Sequence, residues 1–399
     1  MSKRFFVLGG YLSFNPGDLA ILKATIARLN RLHPGSHFVI WCDKTDFTAQ
    51  IASNISHEYF VHPCPSFFMG AGSLARLFLR LYLLTYPFSQ SIVRRFGEKK
   101  YGAVVQKIKS CDDVLFIGGG YLNSNYPFDL MQLHHLNCLA NESGRPVYLL
   151  GQTVGPFKSR WYRNIAESIF RGAEKIVTRE RYSSVELANF SEKVLDGIDD
   201  AVDFAESIRL GEKTDPHVVL GLNLRITNAL NNDVMVQLVN ILNQFNLKSA
   251  GGRLKVIFIP MVTSSHADDR YEAEKFKQIP NKNFEFRILS GPLTLEDRVL
   301  EIAKTDLLLS MRFHSLVFAL STGTPCIGLY ASDYYLRKNL GLLEAYGMER
   351  YCLPLEHLAK LPALLDEVLV NKTRIRADLI SKHTTIIRGQ EAIYRSLFP

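Results

Sequence analysis

The sequence predicts two tandem Rossmann-like, doubly wound α/β domains facing across a cleft. Short apolar runs alternate with longer amphipathic stretches along the 399 residues, the pattern of parallel strands covered by helices. That alternation lapses once, in the polar and less periodic stretch from Gly197 to Pro216, which reads as a hinge. Glycines or cations follow directly on several of the apolar runs, at the strand ends where α/β proteins bind ligands.

Within residues 1–200, strands are predicted at Phe5–Leu8, Phe38–Trp41, Val114–Ile117, Val147–Leu150 and Lys175–Thr178, with helices at Leu19–Leu32, Leu130–Asn141 and Tyr162–Arg171. Residues 201–372 repeat the plan with strands at Val218–Leu224, Val256–Ile259, Phe286–Leu289, Leu307–Ser310 and Cys326–Leu329. Helices are expected between them at about 231–247, 266–278, 294–303, 314–321 and 334–345. A last helix within 373–399 is expected to cross back to the first domain.

The segment 62–100 departs from this pattern. It carries no acidic residue between His62 and Glu98, and leucines and phenylalanines interleave with Arg76 and Arg80 before Arg94 and Arg95. Its apolar part falls short of the roughly 20 apolar residues a bilayer span needs. Two readings stay open: an amphipathic helix lying in a membrane interface, or a core helix whose arginines reach outward.

A 47% hydrophobic composition fits a globular protein with two cores, and a net charge of +8 suits an anionic substrate or an anionic membrane surface. Nucleic acid is not expected as a partner, because the basic residues are dispersed and no zinc-finger, RNP or basic-zipper pattern occurs. The six cysteines form no C-x-x-C pair, so free thiols are expected and no metal site. Met1-Ser2-Lys3-Arg4 runs straight into Phe5–Leu8 without a signal-peptide pattern, which places the chain in the cytoplasm, with the inner face of the membrane as its site if 62–100 binds lipid.

The chemistry concentrates at strand ends. Leu307–Ser310 leads into Arg312, His314 and Ser315 at the start of a predicted helix. There the helix dipole attracts an anion, a guanidinium forks onto carboxylate or phosphate, and an imidazole can move a proton. Arg225 ends another strand, and Tyr330 and Lys338 follow a third. Gly118, Gly119, Gly120 and Tyr121 follow Val114–Ile117, but not as G-x-G-x-x-G, so a dinucleotide fingerprint is not supported. Asn15-Pro16-Gly17-Asp18 precedes the first helix, and Asp18 suits either the helix N-cap or a general base.

Asn15-x-Gly17-Asp18, Gly118–Gly120, Gly151-x-x-x-Gly155-Pro156, Arg179-Glu180-x-x-Ser183, Asp200, Asn223-x-Arg225, Arg312-x-His314 and Gly323-x-Pro325 leading to Tyr330 and Lys338 stand in an order that resembles the polysaccharide pyruvyl transferase family. The resemblance runs from about residue 9 to 340; the 62–100 insert and the C-terminal segment depart from it. It implies a GT-B-like fold, phosphoenolpyruvate as donor substrate without a further cofactor, and a saccharide acceptor, lipid-linked if the insert binds membrane. By analogy Arg225, Arg312, His314 and Lys338 serve donor binding and catalysis. Ser315 and Tyr330 join the donor side, and Asn15, Gly17, Gly119, Gly120 and Tyr121 the acceptor side. His314 is expected as proton donor and Asp18 as base. The rival readings are a GT-B glycosyltransferase using a nucleotide sugar and a non-catalytic glycan- or membrane-binding protein on the same scaffold.

Overall fold

The computed structural model describes residues 2–9, 15–42, 51–61, 102–207, 217–225, 227–248, 254–263 and 268–399. The 62–100 insert, with the membrane contact expected of it, lies outside them. The chain divides into two compact units. Met1–Ser13, Thr25–Gly197 and Ile393–Pro399 form the first, and Phe14–Ala24 with Ile198–Ala392 the second.

The first unit is built on strands β1 (Arg4–Leu8), β2 (His37–Cys42), β3 (Ser56–Val61), β4 (Asp113–Phe116), β5 (Gly119–Leu122), β6 (Val147–Val154), β7 (Lys175–Thr178) and β8 (Val194–Asp196). They pair in parallel in the order β3-β2-β1-β4-β6-β7-β8, and β5 lies beside β6. The central strands read as continuous apolar runs because helices cover both faces of a parallel sheet; Phe5, Phe6, Val7 and Leu8 are all fully buried. The polar edge strand β3 has no such pattern and escapes a hydrophobicity reading. Electrostatics at its Glu58 helps hold it: Lys107 at 2.9 Å, His37 at 3.3 Å and Arg4 at 2.6 Å draw the Glu58 carboxyl down to about 2. The chain's last residues pack on this unit. Phe398 meets Phe5 edge-on at 5.7 Å, its carbonyl bonds the His33 ring at 2.9 Å, and Arg28 lies 4.6 Å from the Tyr394 ring.

The second unit holds β9 (Val218–Asn223), β10 (Leu254–Phe258), β11 (Glu285–Ile288), β12 (Leu307–Ser310), β13 (Cys326–Tyr330) and β14 (Cys352–Pro354) in the parallel order β11-β10-β9-β12-β13-β14. This is the doubly wound Rossmann arrangement. The direction of strand addition reverses between β9 and β12, where Ser310 stands opposite Asn223. The same reversal occurs between β1 and β4 of the first unit, at Leu8 opposite Phe116. Ligands of such sheets sit outside the carboxyl ends at the reversal, because the connecting loops part there. Both units are thus Rossmann-like, the α/β class that the sequence predicts.

The first helix, α1 (Pro16–Leu32), decides one of the two alternatives for Asp18. Its N-cap is Asn15, whose carbonyl accepts from Asp18 and Leu19 at 3.1 and 3.3 Å and whose side chain accepts from the Gly17 amide at 3.1 Å. Pro16 follows at the first helical position, where its missing N–H costs nothing. Asp18 is the third residue of the helix and not its cap. The opening residues 14–24 belong to the second unit. Lys23 pairs there with Glu296 at 3.1 Å and lies 5.6 Å from the Phe204 ring. Among the described residues no helix is long and apolar enough to cross a membrane.

Candidate functional site

Strand β12 delivers Met311 and Arg312 to the reversal point, and helix α8 (Phe313–Ser321) starts immediately after. The turn is locked by hydroxyls. Ser315 Oγ donates to the Arg312 carbonyl at 2.6 Å, Ser310 Oγ accepts from the Arg312 amide at 3.0 Å, and the two serines bond each other. Ser315 is fully buried; it shapes the turn on which the neighbouring residues are presented. Arg312 occupies the N-cap, and its side chain makes no capping hydrogen bond, so no acceptor from that position competes for the positive end of the helix dipole.

Arg312 is held by a buried carboxylate that the sequence reading did not single out. Its Nε donates to Asp269 Oδ1 and Oδ2 at 3.2 and 3.3 Å, and Nη2 bonds Oδ1. Asp269 is completely buried and also accepts from the Met261 and Val262 amides at 3.0 and 3.1 Å and from Asn223 Nδ2 at 3.3 Å. The guanidinium side chain remains 23% exposed, and none of these bonds uses its Nη1. A charge held this way needs no rearrangement to meet an anion.

His314 sits on the first turn of α8, in contact with the opening of α1. A β-carbon built on Gly17 would fall 1.9 Å from His314 Nδ1, and the other ring nitrogen, Nε2, is 3.8 Å from the buried Asp199 carboxylate. That spacing is beyond hydrogen-bond length. Asp18, adjacent to Gly17, is itself buried. The structure thus brings Gly17, Asp199 and His314 together, with Asp18 the next residue of α1.

A second pair of cations stands beside this turn. Lys338, in the helix Asp333–Tyr346, lies 4.8 Å from the ring of Phe313, the first residue of α8, and 5.0 Å from that of Tyr334. The Tyr335 ring is 5.9 Å from Lys338 Nζ and only 4.2 Å from the Arg225 guanidinium, which follows β9. Arg225 Nε is buried with no hydrogen-bond partner among the described residues; an orphaned donor of this kind costs about 1–3 kcal/mol, which an anionic ligand would recover. The aromatic residues at 334 and 335 were legible in principle, because i,i+3 and i,i+4 spacing to Lys338 puts all three on one helical face. Tyr330 ends β13, where burial raises its phenol pKa; no contact joins it to the cations among the described residues.

The remaining predicted residues lie in the first unit. Gly119 and Gly120 belong to β5, not to a loop, and a β-carbon on Gly119 would strike the Tyr121 ring at 2.1 Å. The Arg179-Glu180-x-x-Ser183 motif locks a turn. Glu180 caps its short helix by accepting from the Ser183 amide at 3.0 Å, Ser183 Oγ accepts from the Val154 amide at 2.7 Å, and Arg179 Nε donates to Thr153 at 2.7 Å. Burial raises the Glu180 carboxyl pKa against these bonds.

Residues 15–333 match the polysaccharide pyruvyl transferase family. The amylovoran biosynthesis protein AmsJ of Erwinia amylovora is 23% identical over 379 residues, covering 86% of each chain. Among solved structures, Anabaena Alr3699/HepE in complex with UDP and glucose aligns over 100% of this chain and 99% of that one, with TM-score 0.58 and 15% identity. The UDP-GlcNAc 2-epimerase of Methanocaldococcus jannaschii covers 100% of both chains with TM-score 0.56 and 13% identity. These structures share the fold. The family match spans most of the chain and takes in Asn15, Gly17, Asp18, Arg225, Arg312, His314 and Tyr330: this protein belongs to the polysaccharide pyruvyl transferase family.

Proposed function

We propose that this protein transfers the pyruvyl group of phosphoenolpyruvate to a sugar of a polysaccharide intermediate, forming a pyruvate ketal and releasing phosphate. The observation that carries the reading is the gathering of Arg225, Arg312 and Lys338 around the N-terminus of α8 at the sheet reversal. A three-carbon donor with a carboxylate at one end and a phosphate beside it needs two anion sites a few ångströms apart. Arg312 with the α8 N-terminus serves one, and Arg225 with Lys338 the other.

In this mechanism His314 protonates the methylene carbon of the enol ester, and positive charge develops on the adjacent carbon. A first sugar hydroxyl attacks that carbon and gives its proton to Asp18. The second hydroxyl then displaces phosphate, which departs with the second hydroxyl's proton. The Asp199 carboxylate lies 3.8 Å from the imidazole Nε2, on the side away from Gly17. The 62–100 segment is proposed to hold the protein at the cytoplasmic membrane face, where a lipid-linked acceptor would be found; flotation with anionic liposomes, with and without the segment, tests that point.

The donor is tested by thermal shift and kinetics. Phosphoenolpyruvate at 100 times its Kd should stabilise the fold by about 2.7 kcal/mol, and UDP should not. His314→Ala should lower kcat by about 10²–10⁴ while leaving donor binding near wild type. Arg312→Lys keeps the charge but loses the planar fork, and should raise the donor KM. Stabilisation by UDP and not by phosphoenolpyruvate would replace this reading with a nucleotide-sugar transferase.

A further inference from the structure

Two cations that share one face of a site repel each other, and flexible side chains relieve that repulsion by swinging apart into water. Arg225 and Lys338 do not swing apart here. The guanidinium carbon of Arg225 lies 4.2 Å from the centroid of Tyr335, and Lys338 Nζ lies 5.9 Å from the same ring. Lys338 has two more aromatic neighbours, Phe313 at 4.8 Å and Tyr334 at 5.0 Å. Tyr334 meets Tyr335 edge-on at 5.0 Å and is almost wholly buried, so the shared ring is braced from behind. The negative face of an aromatic ring attracts a cation without neutralising it. A carboxylate in the same position would pair with the cations and compete with an anionic ligand.

We infer that Tyr335 is a positioning residue for the donor: its ring holds Arg225 and Lys338 side by side, so that both meet one anion. The inference rests on the reading of this site as a donor-binding site and adds a residue to it that the sequence motifs did not include. The ring acts through the two cations and does not touch the reacting atoms. Removing it should therefore weaken donor binding and leave the chemical step alone. The phenol oxygen takes no part, so phenylalanine should substitute for tyrosine.

The test compares Tyr335→Phe, Tyr335→Leu and Tyr335→Met with wild type. Each is assayed for phosphoenolpyruvate KM and kcat and titrated calorimetrically with phosphoenolpyruvate and with inorganic pyrophosphate. Tyr335→Leu and Tyr335→Met should raise KM and the anion Kd about five- to tenfold, as the loss of two partly exposed cation–π contacts implies, with kcat within about twofold of wild type. Tyr335→Phe should restore both constants, a rescue that a merely space-filling role would not limit to an aromatic side chain. Methionine covers the case in which leucine fails to fold. Unchanged KM and Kd in the aliphatic variants would overturn the inference, and so would a phenylalanine variant as weak as they are. Wild-type protein that binds pyrophosphate but not phosphoenolpyruvate would remove the donor reading alone, since the pyrophosphate titrations still decide the role of the ring. Binding of neither anion would overturn both.

Discussion

Gly17 lies against the imidazole of His314 so closely that a β-carbon on Gly17 would stand 1.9 Å from Nδ1 and 2.1 Å from Cγ of the ring. The glycine occupies the second position of α1, where alanine would suit the helix better by about 0.8–1.0 kcal/mol. Helix propensity therefore does not account for it, and the ring contact does. Gly17→Ala should displace the imidazole: kcat should fall about 100-fold, the scale of a misplaced catalytic group, with a stability loss of no more than the roughly 1–3 kcal/mol that overpacking costs. Steady-state kinetics beside a thermal melt checks this, and wild-type kcat in the alanine variant would refute it.

Asp269 ties β9, the chain after β10 and Arg312 into one buried cluster. Asp269→Ala would strand the Arg312 charge and two backbone amides, and should cost about 3–5 kcal/mol of stability. Asp269→Asn keeps an acceptor and should cost less while still loosening Arg312. Urea unfolding of the two variants measures the difference. A loss below about 1 kcal/mol for the alanine variant would mean that the cluster is not held by its charge pair.

Burial lowers the pKa of His134, His135 and His383 to about 4, against 6.5 for an ordinary histidine. Each stays neutral in the folded chain down to about pH 4, whereas its unfolded counterpart takes up a proton below about 6.5. The unfolded state thus binds more protons across that window. Stability should be full above pH 6.5 and fall as the pH drops toward 4, by at most about 1.4 kcal/mol per pH unit for each histidine. His383 bonds the Tyr346 hydroxyl at 2.9 Å, which glutamine can also do without titrating. Unfolding midpoints at pH 7 and pH 5 should differ less for His383→Gln than for wild type; equal differences would dismiss the His383 contribution.

Much of this architecture was legible as hydrophobic pattern. Leu307–Ser310 and Lys175–Thr178 are legible to the residue, because strands buried on both faces have apolar centres. The strands that escaped were Ser56–Val61, Gly119–Leu122, Val194–Asp196 and Cys352–Pro354. Edge strands such as Ser56–Val61 are half solvated and keep polar residues, and a three-residue strand is too short to show a period. The sequence leaves Asp18 open as cap or base because Asn and Asp both accept hydrogen bonds, and only the backbone geometry tells that the Asn15 carbonyl opens α1.

The sequence by itself determined the two-domain α/β class, the strand ends at which chemistry gathers, and the cations Arg225, Arg312 and Lys338, since each of these is written in local order along the chain. Tertiary structure alone decided what those residues touch: Asp269 under Arg312, Asp199 and Gly17 beside His314, and one tyrosine ring shared by Arg225 and Lys338. These partners lie far apart in the sequence, apart from the local Tyr335–Lys338 spacing. A parallel sheet joins strands through long crossover connections, so its carboxyl edge assembles side chains whose proximity leaves no periodic trace in the sequence.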